Sequence, residues 1–155
     1  MRGLELVLAE VPLFQGMDAE RLELLAGCAS NVHFEPGEVL FREGDEANAF
    51  YVIRGGTVAL ETFVPARGGM TIETIDAGEV VGWSWLFPPY RWHFDARALA
   101  HVRATAIDGA CLRGKCDDDP ALGYDLMRRF AQVMIHRLQQ TRTRLLDVYG
   151  DGARN

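Results

Sequence analysis

The residues best suited to chemistry in this chain crowd into one short stretch. Trp83, Trp85, Phe87, Tyr90, Trp92 and Phe94 fall within twelve residues, include all three tryptophans, and are interleaved with Gly82, Ser84, Arg91 and His93. Flat rings of this kind stack on planar or apolar ligands, with a guanidinium or an imidazole as the polar handle. The same rings also fill cores, and composition alone leaves both readings open.

Other chemistries lack their residues. Gly82-Trp83-Ser84-Trp85-Leu86 has no second glycine to make a nucleophile elbow, and no Asp-then-His order follows to complete a triad. His33, His93, His101 and His136 are scattered without a His-x-His pair, and Glu5, Glu10 and the other carboxylates show no acid/base spacing. No enzyme and no metal site are therefore expected. Cys28, Cys111 and Cys116 form an odd set with no C-x-x-C clamp, which reads as free thiols in a reducing compartment.

The chain has 155 residues, enough for one domain (1–155) with one hydrophobic core. No apolar run approaches the ~18 residues of a membrane helix. Glu5 and Glu10 interrupt the apolar start and argue against a secretory signal, so the expectation is a cytoplasmic protein with no membrane partner. The net charge of −6 is uneven: six Arg and three Asp in residues 120–155 leave residues 1–119 at −9. An acidic body does not attract a phosphate backbone, and arginines on a long helix read as a solvated face.

These residues must be positioned by a small set of elements. Residues 18–27 read as a short helix, with Asp18 as cap and Gly27 as stop. From Asn31 to Asp108 short β-branched and aromatic runs alternate with glycine turns, the pattern of an antiparallel barrel or sandwich. The clearest hairpin signal is Phe50-Tyr51-Val52-Ile53 turning through Gly55-Gly56 into Val58-Ala59-Leu60. Asp119-Pro120 then opens a helix of about eight turns. Asp117, Asp118 and Asp119 favour its positive end, and Gly150 ends it.

That helix (about 119–149) carries two stripes. Met127, Ala131, Met134, Leu138, Thr141, Leu145 and Val148 alternate four and three apart as a heptad seam. Leu122, Leu126, Phe130 and Val133 form the second. Covering a barrel needs one stripe, so the other predicts a homodimer, with Met127, Met134, Leu138 and Leu145 at its seam.

The run from Phe34-Glu35-Pro36-Gly37-Glu38 to Phe41-Arg42-Glu43-Gly44-Asp45, followed by Phe50-Tyr51-Val52-Ile53-Arg54-Gly55-Gly56-Thr57-Val58, resembles the cyclic-nucleotide-binding domains of the catabolite-activator (CRP)/FNR regulators. The resemblance spans about residues 11–149. It implies a mainly β fold with α, a double-stranded β-helix (jelly roll, or β-roll) at about 11–108. Short N-terminal helices and a long C-terminal helix complete it. It also implies a phosphate-binding cassette between two strands. There a Gly-Glu pair opens a short helix and an Arg followed by Ser or Thr closes it. The carboxylate takes the ribose hydroxyl, the guanidinium the cyclic phosphate, and helix N–H groups add donors.

The matching stretch runs from Val80 to Ala98. Gly82 matches the family glycine, but Trp83 stands at the Glu position, Trp92 at the Arg position and His93 at the Ser/Thr position. The loop is about one residue short, which leaves Arg91 as an alternative phosphate ligand. With both charged grips exchanged, ordinary cAMP and cGMP binding is expected to be weakened or lost. The aromatics then either fill the vacated pocket or line one for a cyclic nucleotide or another small planar ligand, with Gly82, Trp83, Ser84, Arg91, Trp92 and His93 around it. Phe94, Ala96 and Ala98 should point inward, leaving Asp95 and Arg97 as a surface pair. His93 would be the axial candidate for haem, but no second ligand stands out.

The function this implies is an effector-sensing regulatory module; the alternative is an unliganded structural or protein-interaction module. The family's DNA-binding helix-turn-helix follows the long helix, and these 155 residues end at Asn155, so no direct DNA binding is expected of them.

Overall fold

The computed structural model describes residues 3–153. Helix α1 (Leu4–Ala9), a 3-10 turn (Pro12–Phe14) and α2 (Ala19–Ala26) come first. The Asp18 carboxylate caps α2 by accepting the Arg21 N–H at 2.8 Å. Eight strands follow: β1 (Ala29–Phe34), β2 (Val39–Phe41), β3 (Ala49–Gly55), β4 (Val58–Val64), β5 (Gly68–Ile75), β6 (Val80–Val81), β7 (Asp95–Ala98) and β8 (Val102–Asp108). They make two four-stranded sheets, ordered β1-β8-β3-β6 and β2-β7-β4-β5, antiparallel at every pairing. Helices α3 (Gly109–Asp118) and α4 (Pro120–Ala153) close the chain. This is the jelly-roll arrangement the sequence implies.

Two cores result, and strand periodicity divides residues between them. Successive β3 side chains point to opposite faces. Phe50 and Val52 pack with Leu8, Phe14, Leu25, Leu112, Leu122, Leu126 and Phe130 under the helices. Tyr51 and Ile53 join Phe41, Leu60, Val81, Trp92 and Ala96 between the sheets. The β1-β8-β3-β6 sheet is thus covered on both faces in its middle, which is why β3 lacks a clean apolar/polar alternation. The helix stripe Leu122, Leu126 and Phe130 is fully buried, as a helix covering the barrel requires.

Four local expectations are corrected. First, β3 and β4 do not pair: they lie in different sheets, and Gly55-Gly56 carries the chain across the gap. Gly56 has φ +86°, and a Cβ there would sit 2.3 Å from the His101 carbonyl oxygen, so the pair serves a close crossing rather than a two-residue turn. The real hairpin is β4–β5, with Val64 opposite Gly68. Second, α4 runs through Gly150 to Ala153, since an exposed helical glycine weakens a helix without having to end it. Third, Asp117 and Asp118 occupy the last turn of α3; only Asp119 caps α4, accepting the Leu122 N–H at 3.3 Å. Arg154, one of the six tail arginines, lies outside the described residues.

Fourth, Cys28 and Cys111 are joined as a disulfide, which overturns the reading of three free thiols. Residues 83 apart meet because the β1/β8 pairing brings the end of α2 beside the start of α3, with the Asp108 N–H bonded to the Cys28 carbonyl at 2.8 Å. Cysteine spacing carries no trace of that juxtaposition. Cys116 remains free, and burial, with Asp117 and Asp119 nearby, pushes its thiol pKa up. Thiol titration of the unreduced, denatured protein is expected to find one reactive cysteine; three would remove the disulfide.

Candidate functional site

The aromatic stretch is not one cluster. Its tryptophans divide between the two cores, Trp83 and Trp85 against the helical one and Trp92 between the sheets, because the loop between β6 and β7 turns twice. At Gly82 the backbone takes φ +97°, and a Cβ there would lie 2.5 Å from Cη2 of Trp92. Trp83 precedes a short 3-10 turn (Ser84–Leu86) in which Ser84 and Trp85 are buried. Trp85 enters the helical core, stacked on Phe50 at 5.2 Å and edge-on to Phe130 at 5.6 Å.

The loop then runs over the surface through Phe87, a cis Pro88-Pro89 bond and Tyr90. Arg113 of α3 holds it: its guanidinium lies 4.2 Å from the centre of the Tyr90 ring and donates to the Trp85 carbonyl. Backbone bonds fasten the far side to the Gly44 turn: Ala47 N–H to Tyr90 O at 2.7 Å, Gly44 N–H to Trp92 O at 2.9 Å, and Trp92 N–H to Asp45 O at 3.0 Å. Arg91 is exposed, and its Nη1 donates to the Gly44 carbonyl at 3.3 Å.

Trp92 turns inward. It is 4% exposed and lies flat on Phe41, with ring centres 3.7 Å apart and planes 9° apart. Tyr51 and Phe94 flank Phe41 at 6.4 and 5.8 Å. Burial raises the pKa of Tyr51, keeping its phenol neutral. His93, next along the chain, is exposed, so the fold does not gather it with Trp83 and Trp92.

On β7, Ala96 and Ala98 point inward as expected and Phe94 is half-buried. The expected Asp95–Arg97 surface pair does not form. Arg97 instead grips Glu61 of β4 through two bonds, 2.8 and 3.0 Å, while Asp95 accepts the Glu43 N–H. The Arg97 hydrogen bond holds the Glu61 carboxyl below its usual pKa.

Sequence reasoning missed Phe41, Arg113 and Arg137. The first was visible only as part of a strand. Arg137 sat among arginines assigned to a solvated face, yet it is 6% exposed, donates to the Val80 carbonyl and lies 5.1 Å from the Trp83 ring. Of the seam residues, Met127, Leu138 and Leu145 are exposed on α4, whereas Met134 packs against the helical core. Tyr124, Ile135, Leu146 and Tyr149 are also exposed and widen that stripe. Among the described residues no group of three or more His, Cys, Asp or Glu could hold a metal, and no helix is long and apolar enough to cross a membrane.

Residues 31–119, from β1 through the cassette to the end of α3, match the sequence profile of the cyclic nucleotide-binding domain. This chain belongs to that family. A CRP-like cAMP-activated global transcriptional regulator of Mycobacterium tuberculosis is 26% identical over 142 residues, 92% of this chain and 62% of the regulator. The chain thus spans about three-fifths of the length of that curated relative. Among solved structures, a cyclic nucleotide-binding protein of Geobacter metallireducens superposes with TM-score 0.79 at 30% identity, covering 89% of this chain and 99% of that one. The N-terminal domain of a Streptomyces coelicolor transcriptional regulator gives 0.68 at 28% identity, covering 90% and 95%. The β6–β7 loop of this cyclic nucleotide-binding domain lies inside the matched residues.

Trp92→Ala is expected to cost about 3–5 kcal/mol, because it removes the Phe41 stack and leaves a cavity between the sheets. Chemical denaturation measures this. A loss below about 1 kcal/mol would mean that Trp92 is not a core residue.

Proposed function

We propose that this domain is a regulatory module, not an enzyme, in which the ordinary cAMP and cGMP contacts are weakened or lost and whose output is carried by α4 in a homodimer. The observation that carries the first part is Trp92, whose indole lies on Phe41 and covers Gly82. A guanidinium expected to grip phosphate is replaced by a ring that has no charge and is already fully engaged. Trp83 likewise lies under Arg137 in place of a carboxylate. Charge-assisted hydrogen bonds contribute about 1.5–3 kcal/mol each, so losing two lowers affinity by roughly a hundredfold or more. Arg91, the alternative phosphate ligand, is held outside the roll by Gly44. Of the two readings of the aromatics, filling is therefore the better supported for Trp85 and Trp92.

The dimer reading rests on the exposed apolar side chains of α4, which continue beyond its contact with the roll. Leu138 is 69% exposed, and Leu145, Leu146, Val148 and Tyr149 are each more than half exposed. Joining two such helices buries these stripes against one another, as in a coiled coil. A change in the roll that shifts α4 is then read by the partner helix.

Isothermal titration calorimetry with cAMP and with cGMP is expected to give no saturable heat in the micromolar range. Micromolar or tighter binding of either would overturn the reading of the cassette. Leu138→Glu should convert the protein to monomers in sedimentation equilibrium, and an unchanged mass would rule out this seam.

A further inference from the structure

A cleft separate from the interior of the roll lies along α4. Where α4 leaves the N-terminal helices it stands away from the β5–β6 turn, leaving a cleft of about 700 Å³, within the range of small-molecule sites. Residues 77–80 and the 3-10 turn form one wall, and Gln132, His136, Arg137 and Gln140 of α4 the other. No cassette residue from 82 to 92 lines it.

Arg137 is the unusual member. It is nine-tenths buried, its Nη2 donates to the Val80 carbonyl, and its Nη1 is buried with no acceptor. The Trp83 face beneath the guanidinium attracts it without neutralising it. Among the described residues no carboxylate pairs with it; Glu73 and Glu79 act on it only from a distance, and burial lowers its pKa. Arg129, at the same cleft, is already satisfied by Asp125 and by the carbonyls of Leu13 and Gln15. A buried cation whose nearest counter-charges lie beyond ion-pair distance is unfavourable, and an anion bound in the adjoining cleft reduces that penalty.

We propose that this cleft binds a small organic anion, a carboxylate or a phosphate, with Arg137 as its counter-charge. The side chains of Gln132, His136 and Gln140 have no hydrogen-bond partner among the described residues and are available to the neutral body of the ligand. Glu79 on the facing wall disfavours a polyphosphate, so the ligand carries one or two negative charges and has an N–H or O–H donor or an apolar group at its far end. Leu13, Val80 and Val133 supply apolar surface for that end.

The test uses benzoate and phenyl phosphate as probes, with uncharged benzamide as control, at ionic strength matched with chloride. Thermal denaturation of the wild-type protein is expected to show a saturable rise in Tm with at least one anion and none with benzamide. In Arg137→Gln the anion affinity should fall at least tenfold. Without ligand, Arg137→Met should be as stable as the wild type or more so, because it removes an uncompensated charge. Should Arg137→Gln fold poorly, Gln132→Ala and Gln140→Ala at exposed or half-buried positions should weaken binding several-fold. Arg91→Gln, at an exposed arginine away from this cleft, should leave anion affinity unchanged, which separates the cleft from a phosphate site at Arg91. No saturable response to either anion, an equal response to benzamide, or equal affinity in wild type and Arg137→Gln would overturn the proposal.

Discussion

An indole lying flat on a phenyl ring 3.7 Å away, above a glycine that has no side chain, sets the interior of this roll. Trp92 needs Gly82 because any Cβ there would enter its ring, and Gly82 in turn takes a backbone conformation that other residues resist. The backbone bonds from Asp45 and Gly44 fix where Trp92 enters, and Phe41 fixes where its ring stops. The two sheets are held apart there by a hydrocarbon spacer that the chain itself supplies.

Helix α4 shows how one element can meet three different environments. Its first turns are core, with Leu122, Leu126 and Phe130 fully buried. Its middle carries a buried guanidinium beside a cleft, and residues 141–150 are exposed although they include two leucines, a valine and a tyrosine. Past the cleft α4 still touches the roll, where Arg144 Nη1 donates to the Ile72 carbonyl of β5 at 3.1 Å.

Local signals carried the fold. Asp18 and Asp119 behave as helix caps, the heptad spacing yields the exposed stripe, and the Phe34–Val58 motifs place the strands. What failed were inferences that needed two distant segments to meet. Gly55-Gly56 has the composition of a tight turn, and only the proximity of His101 shows that it serves a crossing between sheets. Cys28 and Cys111 look unrelated until β1 pairs with β8. The dense tryptophans read as one group, whereas a loop with two turns parts Trp92 from Trp83 and Trp85. Arg137 was hidden because charge and helical spacing predict exposure, and only the seating of α4 against Val80 buries it.

The link between Cys28 and Cys111 also changes what kind of polymer the roll is. All eight strands lie between its two ends, so the β-roll is a covalent ring with α1 and α2 attached at one side of the closure and α4 trailing from the other. A single backbone break anywhere inside that ring leaves every strand tethered to the rest. The long helix has no such safeguard: a break within α4 parts the exposed apolar stripe from the roll entirely. The roll and the exposed stripe of α4 therefore differ in how they survive damage, one closed and one open-ended.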